Sequence, residues 1–235
     1  MRQLLCLAVV SASAGALAGG CDPTVTVTAD DVIPRLAASP DTIVADGAAT
    51  TEITVGTVGD VVADLEVSLT IDGAAWLDSS TATISETLGP DGTATATVVA
   101  PRIAGSARVT AEIAGYQREL AIGLVAAVPD DVVLSSSGNL VAGALSQIQI
   151  TAEPTVASGL PTARTAVRFH LETEPPNTGY LTAERVLLDA TATTAATAVV
   201  AGSTTTRVTV TADATPPGAV APAATSSALV IVQLP

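Results

Sequence analysis

The chain has 235 residues, of which 48% are hydrophobic, so it is long and apolar enough to form one or two domains with buried cores. Aromatic residues make up only 2%, so the core must be aliphatic, and the abundant valine and threonine favour strands because both branch at Cβ. Nine arginines and no lysine stand against 23 acidic residues; this negative balance excludes nucleic acid as a partner and argues against docking on anionic headgroups through charge.

The first twenty residues have the composition of an export signal. Arg2 supplies a positive charge, and residues 4–17 are apolar but too few to span a bilayer, which takes about 20 residues. The run Leu17-Ala18-Gly19-Gly20-Cys21 resembles the lipobox of bacterial lipoproteins. This resemblance implies cleavage before Cys21, attachment of diacylglycerol to its thiol and acylation of the new amino terminus. The alternative is an ordinary signal peptide, 1–20, followed by an incidental cysteine.

A lipid anchor would explain how so acidic a chain stays on a membrane. Two or more acyl chains hold a protein stably on a bilayer. The other cysteine, Cys6, lies in the leader, so the exported chain would contain one modified cysteine and no internal disulfide. Asp22 resembles an inner-membrane retention signal of enterobacterial lipoproteins, but the choice between inner and outer membrane stays open. The sequence thus predicts a lipid-anchored protein of the bacterial cell envelope, with residues 21–38 as a tether.

Strict alternation of apolar and polar residues follows the tether. Residues 65–72 read Leu-Glu-Val-Ser-Leu-Thr-Ile-Asp, and residues 107–113 read Ala-Arg-Val-Thr-Ala-Glu-Ile. A period of two is typical of a strand with one buried and one exposed face. Turn sequences such as Asp46-Gly47 and Asp72-Gly73 separate these runs. The pattern therefore predicts antiparallel sheets, since parallel sheets would need intervening helices.

The strand pattern occurs twice along the chain. Val98-Val99-Ala100 matches Val199-Val200-Ala201, and Val109-Thr110-Ala111 matches Val210-Thr211-Ala212, at the same spacing of about 101 positions. Each copy is also expected to open alike, at Pro40-Asp41-Thr42 and Pro129-Asp130-Asp131. About 100 residues with seven or so short strands is the size of an immunoglobulin-like sandwich. We therefore predict an all-β chain of two tandem immunoglobulin-like antiparallel β-sandwiches, residues 39–126 and 127–235.

A family resemblance supports this fold. Residues 39–125 resemble the bacterial Ig-like domains of the invasin/intimin type, and the second copy is a diverged relative. The resemblance depends on Ser39-Pro40, Ala45-Asp46-Gly47, Thr51-Glu52-Ile53-Thr54-Val55, Asp60, Asp91-Gly92-Thr93-Ala94 and Gly105-Ser106-Ala107-Arg108-Val109-Thr110-Ala111. Such domains serve mostly as rigid spacers and adhesive stalks, which is the role that the resemblance implies here.

The sequence offers little for catalysis. His170 is the single histidine, there is no lysine to act as a nucleophile, and the alternation places His170 on an exposed strand face. Glu172 and Glu174 share a face and have the chemistry of a glycosidase pair, but two prolines follow them, so a solvated edge is the favoured interpretation. Ligands for a zinc site are absent. We predict no enzyme and no cofactor.

Two binding hypotheses remain. Asp130 and Asp131, at the predicted domain boundary, are candidate calcium ligands together with Asp46 or Asp91, and the alternative is ordinary turn chemistry. Trp76 either fills an aromatic-poor core or anchors a ligand. The leading interpretation is a non-catalytic structural or adhesive module that contacts envelope proteins or polysaccharide. The alternative is a carbohydrate-binding or envelope-assembly accessory lipoprotein, which would expose Trp76, Tyr116 or Tyr180 on one flat face.

Overall fold

The computed structural model describes residues 27–57 and 65–233. One short helix, α1 (Ala29–Val32), precedes the strands. Within the described residues, no helix has the length and apolar composition needed to cross a membrane. The remaining elements are strands, numbered in chain order: β1 (Arg35–Ser39), β2 (Thr42–Ala45), β3 (Thr50–Gly56), β4 (Glu66–Asp72), β5 (Ala75–Trp76), β6 (Thr83–Thr87), β7 (Thr93–Val99), β8 (Gly105–Ile113), β9 (Tyr116–Ala126), β10 (Asp131–Ser136), β11 (Ser146–Thr155), β12 (Ala166–Glu174), β13 (Gly179–Leu181), β14 (Arg185–Leu187), β15 (Ala195–Ala201), β16 (Arg207–Thr215), β17 (Ala224–Thr225) and β18 (Leu229–Val232).

The first sandwich packs a sheet of order β1-β3-β7-β5 against a sheet of order β2-β9-β8-β4-β6. All pairs are antiparallel except β2 with β9. The predicted alternation is confirmed in β4, where Val67, Leu69 and Ile71 are buried and the residues between them are not. These side chains belong to one aliphatic core, which also contains Trp76. Burial of alternate residues on each strand therefore holds the two sheets together.

The second sandwich repeats this plan with a separate core. A sheet of order β10-β11-β15-β13 faces a sheet of order β14-β12-β16, and both β17 and β18 pair with β16. Phe169, the one phenylalanine of the chain, is buried in this core. The prediction of tandem immunoglobulin-like β-sandwiches is confirmed.

Strand register confirms the internal repeat. Val109 of β8 pairs with Ile71 of β4, and Val210 of β16 pairs with Leu171 of β12. Val98 and Val199 likewise occupy equivalent strands, β7 and β15, each between a long strand and a short edge strand. The spacing read from the sequence thus corresponds to equivalent positions in two copies of one fold.

The segments at Pro40 and Pro129, which we predicted to begin the two copies in the same way, are not equivalent. β10 pairs with β11 as β1 pairs with β3, so the segment at Pro129 corresponds to β1 and not to the segment at Pro40. β2, which follows Pro40, pairs in parallel with the last strand of its sandwich. In the described part of the second sandwich, the corresponding parallel contact is one bridge, between Leu140 and Gln233. The short sequence match could not distinguish two edge strands that lie in different sheets.

The range 21–38, predicted as a tether, overlaps the first sandwich. α1 and β1 both begin before residue 39, and Ile33 and Leu36 are buried in the first core. Arg118 of β9 donates to the carbonyl of Ile33 and lies 3.5 Å from the Asp30 carboxylate, which fastens the segment to the sheet. The apolar residues in this range are too few to show a period, so the sequence did not reveal the strand.

The two ends of the described chain lie at opposite ends of the tandem. α1 contacts β9 near Arg118, close to the start of that strand, and β9 then runs 11 residues to the domain boundary, or about 36 Å at 3.3 Å per residue. In the second sandwich β12 leaves the boundary at Ala166 and ends at Glu174. Glu174 lies beside Arg207, which pairs with Val232 at the end of β18. The start and the end of the described chain therefore lie at the outer ends of the two sandwiches, with the domain boundary between them.

Candidate functional site

The predicted lipidation site, Cys21, lies outside the described residues. The proposal of a lipid anchor on this cysteine therefore depends on the sequence pattern alone.

The predicted calcium ligands do not form a cluster. Asp91 lies in the turn before β7, whereas the domain boundary is at the other end of that seven-residue strand, about 23 Å away at 3.3 Å per residue, so its expected contribution there is wrong. The Asp131 carboxylate accepts the backbone N–H of Val132, and that of Asp46 accepts those of Ala48 and Ala49. Within residues 27–57 and 65–233, no three Asp, Glu, His or Cys side chains are placed to share a metal ion.

The candidate acid–base residues lie on the outer surface of the second sandwich. The His170 side chain is about half exposed, and its Nε2 lies 2.8 Å from Asp213 Oδ2. Glu172 and Glu174 are exposed on one face of β12, as predicted, and Glu174 lies 3.5 Å from the guanidinium of Arg207. Both carboxylates border a groove of about 430 Å³, which Arg207 and Thr209 also line.

The three candidate aromatic residues do not lie together on the described surface. Trp76 is only 3% exposed, and its indole N–H donates to the carbonyl of Ala82 at 3.0 Å, so it fills the first core. Tyr116 and Tyr180 belong to different sandwiches, on β9 and β13, and only Tyr180 is well exposed. Of the three candidate aromatic residues, Tyr180 is therefore the one that the described surface offers to a ligand.

The most elaborate polar site is the junction between the sandwiches, where Arg102 of the first meets three carbonyls of the second. Its Nε and Nη2 donate to Pro161 O at 2.9 and 2.7 Å. Nη2 also donates to Ala192 O at 2.8 Å, and Nη1 donates to Ala190 O at 3.1 Å. The backbone N–H of Ala163 donates back to the Arg102 carbonyl at 2.6 Å. Because a guanidinium is planar and its donors point in fixed directions, this arrangement specifies one orientation of the two sandwiches.

A buried threonine completes the junction. Thr162 is fully buried; its hydroxyl donates to Ala45 O at 2.8 Å and accepts the N–H of Ala127 at 2.7 Å. Ala45 ends β2, and Ala127 is the first residue after β9, so a single side chain connects the first sandwich, the linker and the second sandwich. A buried hydroxyl with both a donor and an acceptor partner avoids the cost of an unsatisfied polar group.

A close backbone approach lies next to this threonine. The carbonyl of Asp46, which is 2% exposed, accepts the N–H of Leu160 at 2.9 Å. Gly159 sits against the Asp46 side chain with φ +70, and an added Cβ would lie 2.6 Å from Asp46 Cγ. Only glycine fits here, both for the space and for the backbone conformation.

An ordered acidic turn presents two of the carbonyls that Arg102 binds. The Asp189 carboxylate accepts the N–H groups of Ala192 and Thr191 and the Thr191 hydroxyl. These hydrogen bonds, with a smaller contribution from the charge of Arg102, lower the pKa of Asp189 below its usual 3.8. Folding lowers this pKa, so the ionised Asp189 carboxylate stabilises the folded protein. This stabilisation is fully present above pH 3.8 and is lost as the pH falls through the pKa of the folded state.

Replacing Gly159 with alanine is expected to undo the docking of the 158–163 segment. The change forces a side chain into left-handed backbone, at about 1–2 kcal/mol, and adds the clash with Asp46. Gly143→Ala is the matched control, because Gly143 has φ +68 and nothing within 4 Å of the added Cβ. Amide hydrogen exchange at Leu160 and Ala163 should accelerate in the first variant only; equal acceleration in both would show that a general loss of stability, and not the clash with Asp46, exposes these amides.

Sequence analysis did not identify the junction residues. Arg102 stands in the run Val98-Val99-Ala100-Pro101-Arg102-Ile103-Ala104, where a single charge among apolar residues was the one available signal. Its three acceptors are backbone carbonyls some 60–90 positions along the chain, and backbone groups carry no sequence signature.

Comparison with solved structures places this fold among known ones. The crystal structure of invasin, a bacterial integrin-binding protein, aligns with a TM-score of 0.65 and 21% identity over 85% of this chain and 38% of that one. The Yersinia pseudotuberculosis adhesin InvE aligns with a TM-score of 0.49 and 16% identity, over 85% of this chain and 58% of that one. This chain thus spans less than two thirds of either, and the likeness to invasin concerns the fold. No protein-family model and no curated protein sequence matches the chain.

Proposed function

We propose that this chain is a non-catalytic spacer or adhesive module of the bacterial cell envelope: two invasin-like sandwiches in fixed relative orientation, held on a membrane by lipid at Cys21. The observation that carries the proposal is the junction, where Arg102 and Thr162 connect the two sandwiches through hydrogen bonds to backbone groups. Independent domains on a flexible linker need no such contacts, whereas a module that holds a binding surface at a set distance does.

The direction of the chain supports this role. α1 and the last strand, β18, lie at opposite ends of the tandem, so a lipid on Cys21, a few residues before α1, would attach the first sandwich and leave the second sandwich outermost. Strands of 7–11 residues give each sandwich a length of about 23–36 Å at 3.3 Å per residue. Two such domains in line would hold their outer end well clear of lipid headgroups.

The anchor is tested by replacing Cys21 with serine. The unchanged protein should sediment with membranes and carry the mass of residues 21–235 plus its acyl groups. The variant should move to the soluble fraction, because the described part of the chain contains no membrane-spanning helix and the chain has a net charge of −14. Cys6→Ser is the control, since this cysteine lies in the leader and should leave the mature protein unchanged. An unmodified mass at Cys21, or membrane retention of a Cys21→Ser protein from which the leader has been cleaved, would refute the anchor.

A further inference from the structure

Two arginines face each other on the outer surface of the second sandwich. Arg168 of β12 pairs directly with Arg185 of β14, and both residues are exposed. Side chains directly opposite on antiparallel strands have Cβ atoms about 4.5–5.5 Å apart, and like charges in such a pair destabilise a sheet. An anion bound between the two guanidinium groups would relieve this repulsion.

The carboxylate that lies nearest to Arg168 in the strand register already has partners of its own. Asp213 of β16 lies opposite Arg168 on its other side. Its Oδ2 lies 2.8 Å from His170 Nε2, and its Oδ1 accepts the hydroxyl of Thr225 at 2.8 Å. In the described part of the chain, the arginines within 4 Å of a carboxylate are others: Arg108, Arg118 and Arg207. The charges of Arg168 and Arg185 are therefore not neutralised by an ion pair there.

These arginines line two adjoining grooves that begin at the domain junction. One groove, of about 440 Å³, contains Arg164 and Arg185; the other, of about 300 Å³, contains Arg168 and Arg185 together with Asp213. Both grooves are also lined by residues of the uncharged segment 216–222, Pro-Pro-Gly-Ala-Val-Ala-Pro. Arg164 is exposed like the other two. In a chain of net charge −14, three guanidinium groups thus share one surface, which we call the arginine groove.

We propose that the arginine groove binds a short oligosaccharide whose sugars carry carboxylates. Guanidinium groups bind carboxylates through paired hydrogen bonds. The overall negative charge of the chain repels long polyanions, which favours a short ligand. The proline- and alanine-rich segment offers apolar surface to the C–H faces of the sugar rings. β14, the edge strand, has three residues, so an added peptide strand would find few backbone groups to pair with.

This inference rests on the proposed function, since it names a ligand class for an adhesive module. Binding is tested by isothermal titration calorimetry, in which tetragalacturonate is added at low salt to the full chain in detergent. Fully methyl-esterified tetragalacturonate has the same skeleton without charge, and tetraglutamate has four carboxylates on a peptide. Binding of tetragalacturonate at least tenfold tighter than either probe is expected. Added salt should weaken it, because the groove is exposed.

Single substitutions locate the site. Arg168→Gln and Arg185→Gln are each expected to weaken tetragalacturonate binding roughly tenfold, the usual effect of losing a hydrogen bond to a charged group. Arg185→Gln should not lower the melting temperature, because it removes a repulsion between like charges. Arg108→Gln is the control: it removes the same charge from an exposed position on β8 of the first sandwich, and binding should not change.

Three outcomes would overturn the arginine groove as a glycan site: no heat of binding with tetragalacturonate at millimolar concentration, equal binding of tetraglutamate, or an equal loss in Arg108→Gln. None of these outcomes bears on the anchor or on the orientation of the sandwiches, because the calorimetric assay needs neither. Conversely, an unchanged protein that does not sediment with membranes, or a flexible junction, would refute the proposed function. The affinity of the arginine groove for tetragalacturonate could still be measured in that case.

Discussion

Replacing Phe169 with alanine is expected to destabilise the second sandwich by about 3–5 kcal/mol, the usual cost of emptying a buried aromatic site. Phe169 is 2% exposed and is the largest side chain in a core of valine, leucine, isoleucine and alanine. Small side chains around it cannot move far enough to fill the space. For a domain of this size, the loss corresponds to a melting temperature lower by more than about 10 °C.

The chain provides its own reporter for this experiment. Trp76 is the single tryptophan and lies in the first core, so its fluorescence follows the first sandwich alone, whereas far-ultraviolet circular dichroism follows both. In Phe169→Ala the thermal transition followed by circular dichroism should split into two. The midpoint temperature of the tryptophan transition should decrease much less than that of the dichroism component at lower temperature. Tyr180→Ala, at a site 61% exposed, should change stability by less than about 0.5 kcal/mol. One shared transition in Phe169→Ala would show that the two cores do not unfold separately.

Replacing Arg102 with alanine is expected to release the fixed orientation of the two sandwiches at a cost of about 2–3 kcal/mol to their docking. Hydrogen bonds from a charged donor contribute about 1.5–3 kcal/mol each, reduced here because Arg102 is only partly buried. The change also leaves the carbonyls of Pro161, Ala190 and Ala192 without their donor. Each sandwich should stay folded, because Arg102 belongs to neither core.

Residual dipolar couplings measure this effect directly. In the unchanged protein both sandwiches should report one alignment tensor, and in Arg102→Ala they should report two. Arg102→Lys keeps the charge but loses the planar guanidinium. The difference between the tensors of its two sandwiches should therefore lie between those of the unchanged protein and of Arg102→Ala. Arg108→Ala, which removes an arginine 65% exposed and paired with Glu119, should leave a single tensor. A single tensor in Arg102→Ala would show that Thr162 and the Asp46 contact suffice to hold the junction.

The sequence by itself determined the strands, the repeat and the composition of both cores. Successive side chains of a strand point to opposite faces, so burial leaves a local period of two that can be read without the fold, as at Val67, Leu69 and Ile71. The same logic placed His170 and Glu172 on an exposed face and favoured Trp76 as a core residue. Where the local pattern was too short, as at Leu36 in the predicted tether, it failed.

Only the tertiary structure decided which residues form sites. Arg102 meets carbonyls up to 90 positions away, Thr162 reaches Ala45 across 117, and Arg168 faces Arg185 only because of the register between β12 and β14. These contacts join groups that are distant along the chain, and several involve backbone atoms that every residue possesses. Local periodicity is silent about them, because it records which face is buried and not what lies opposite.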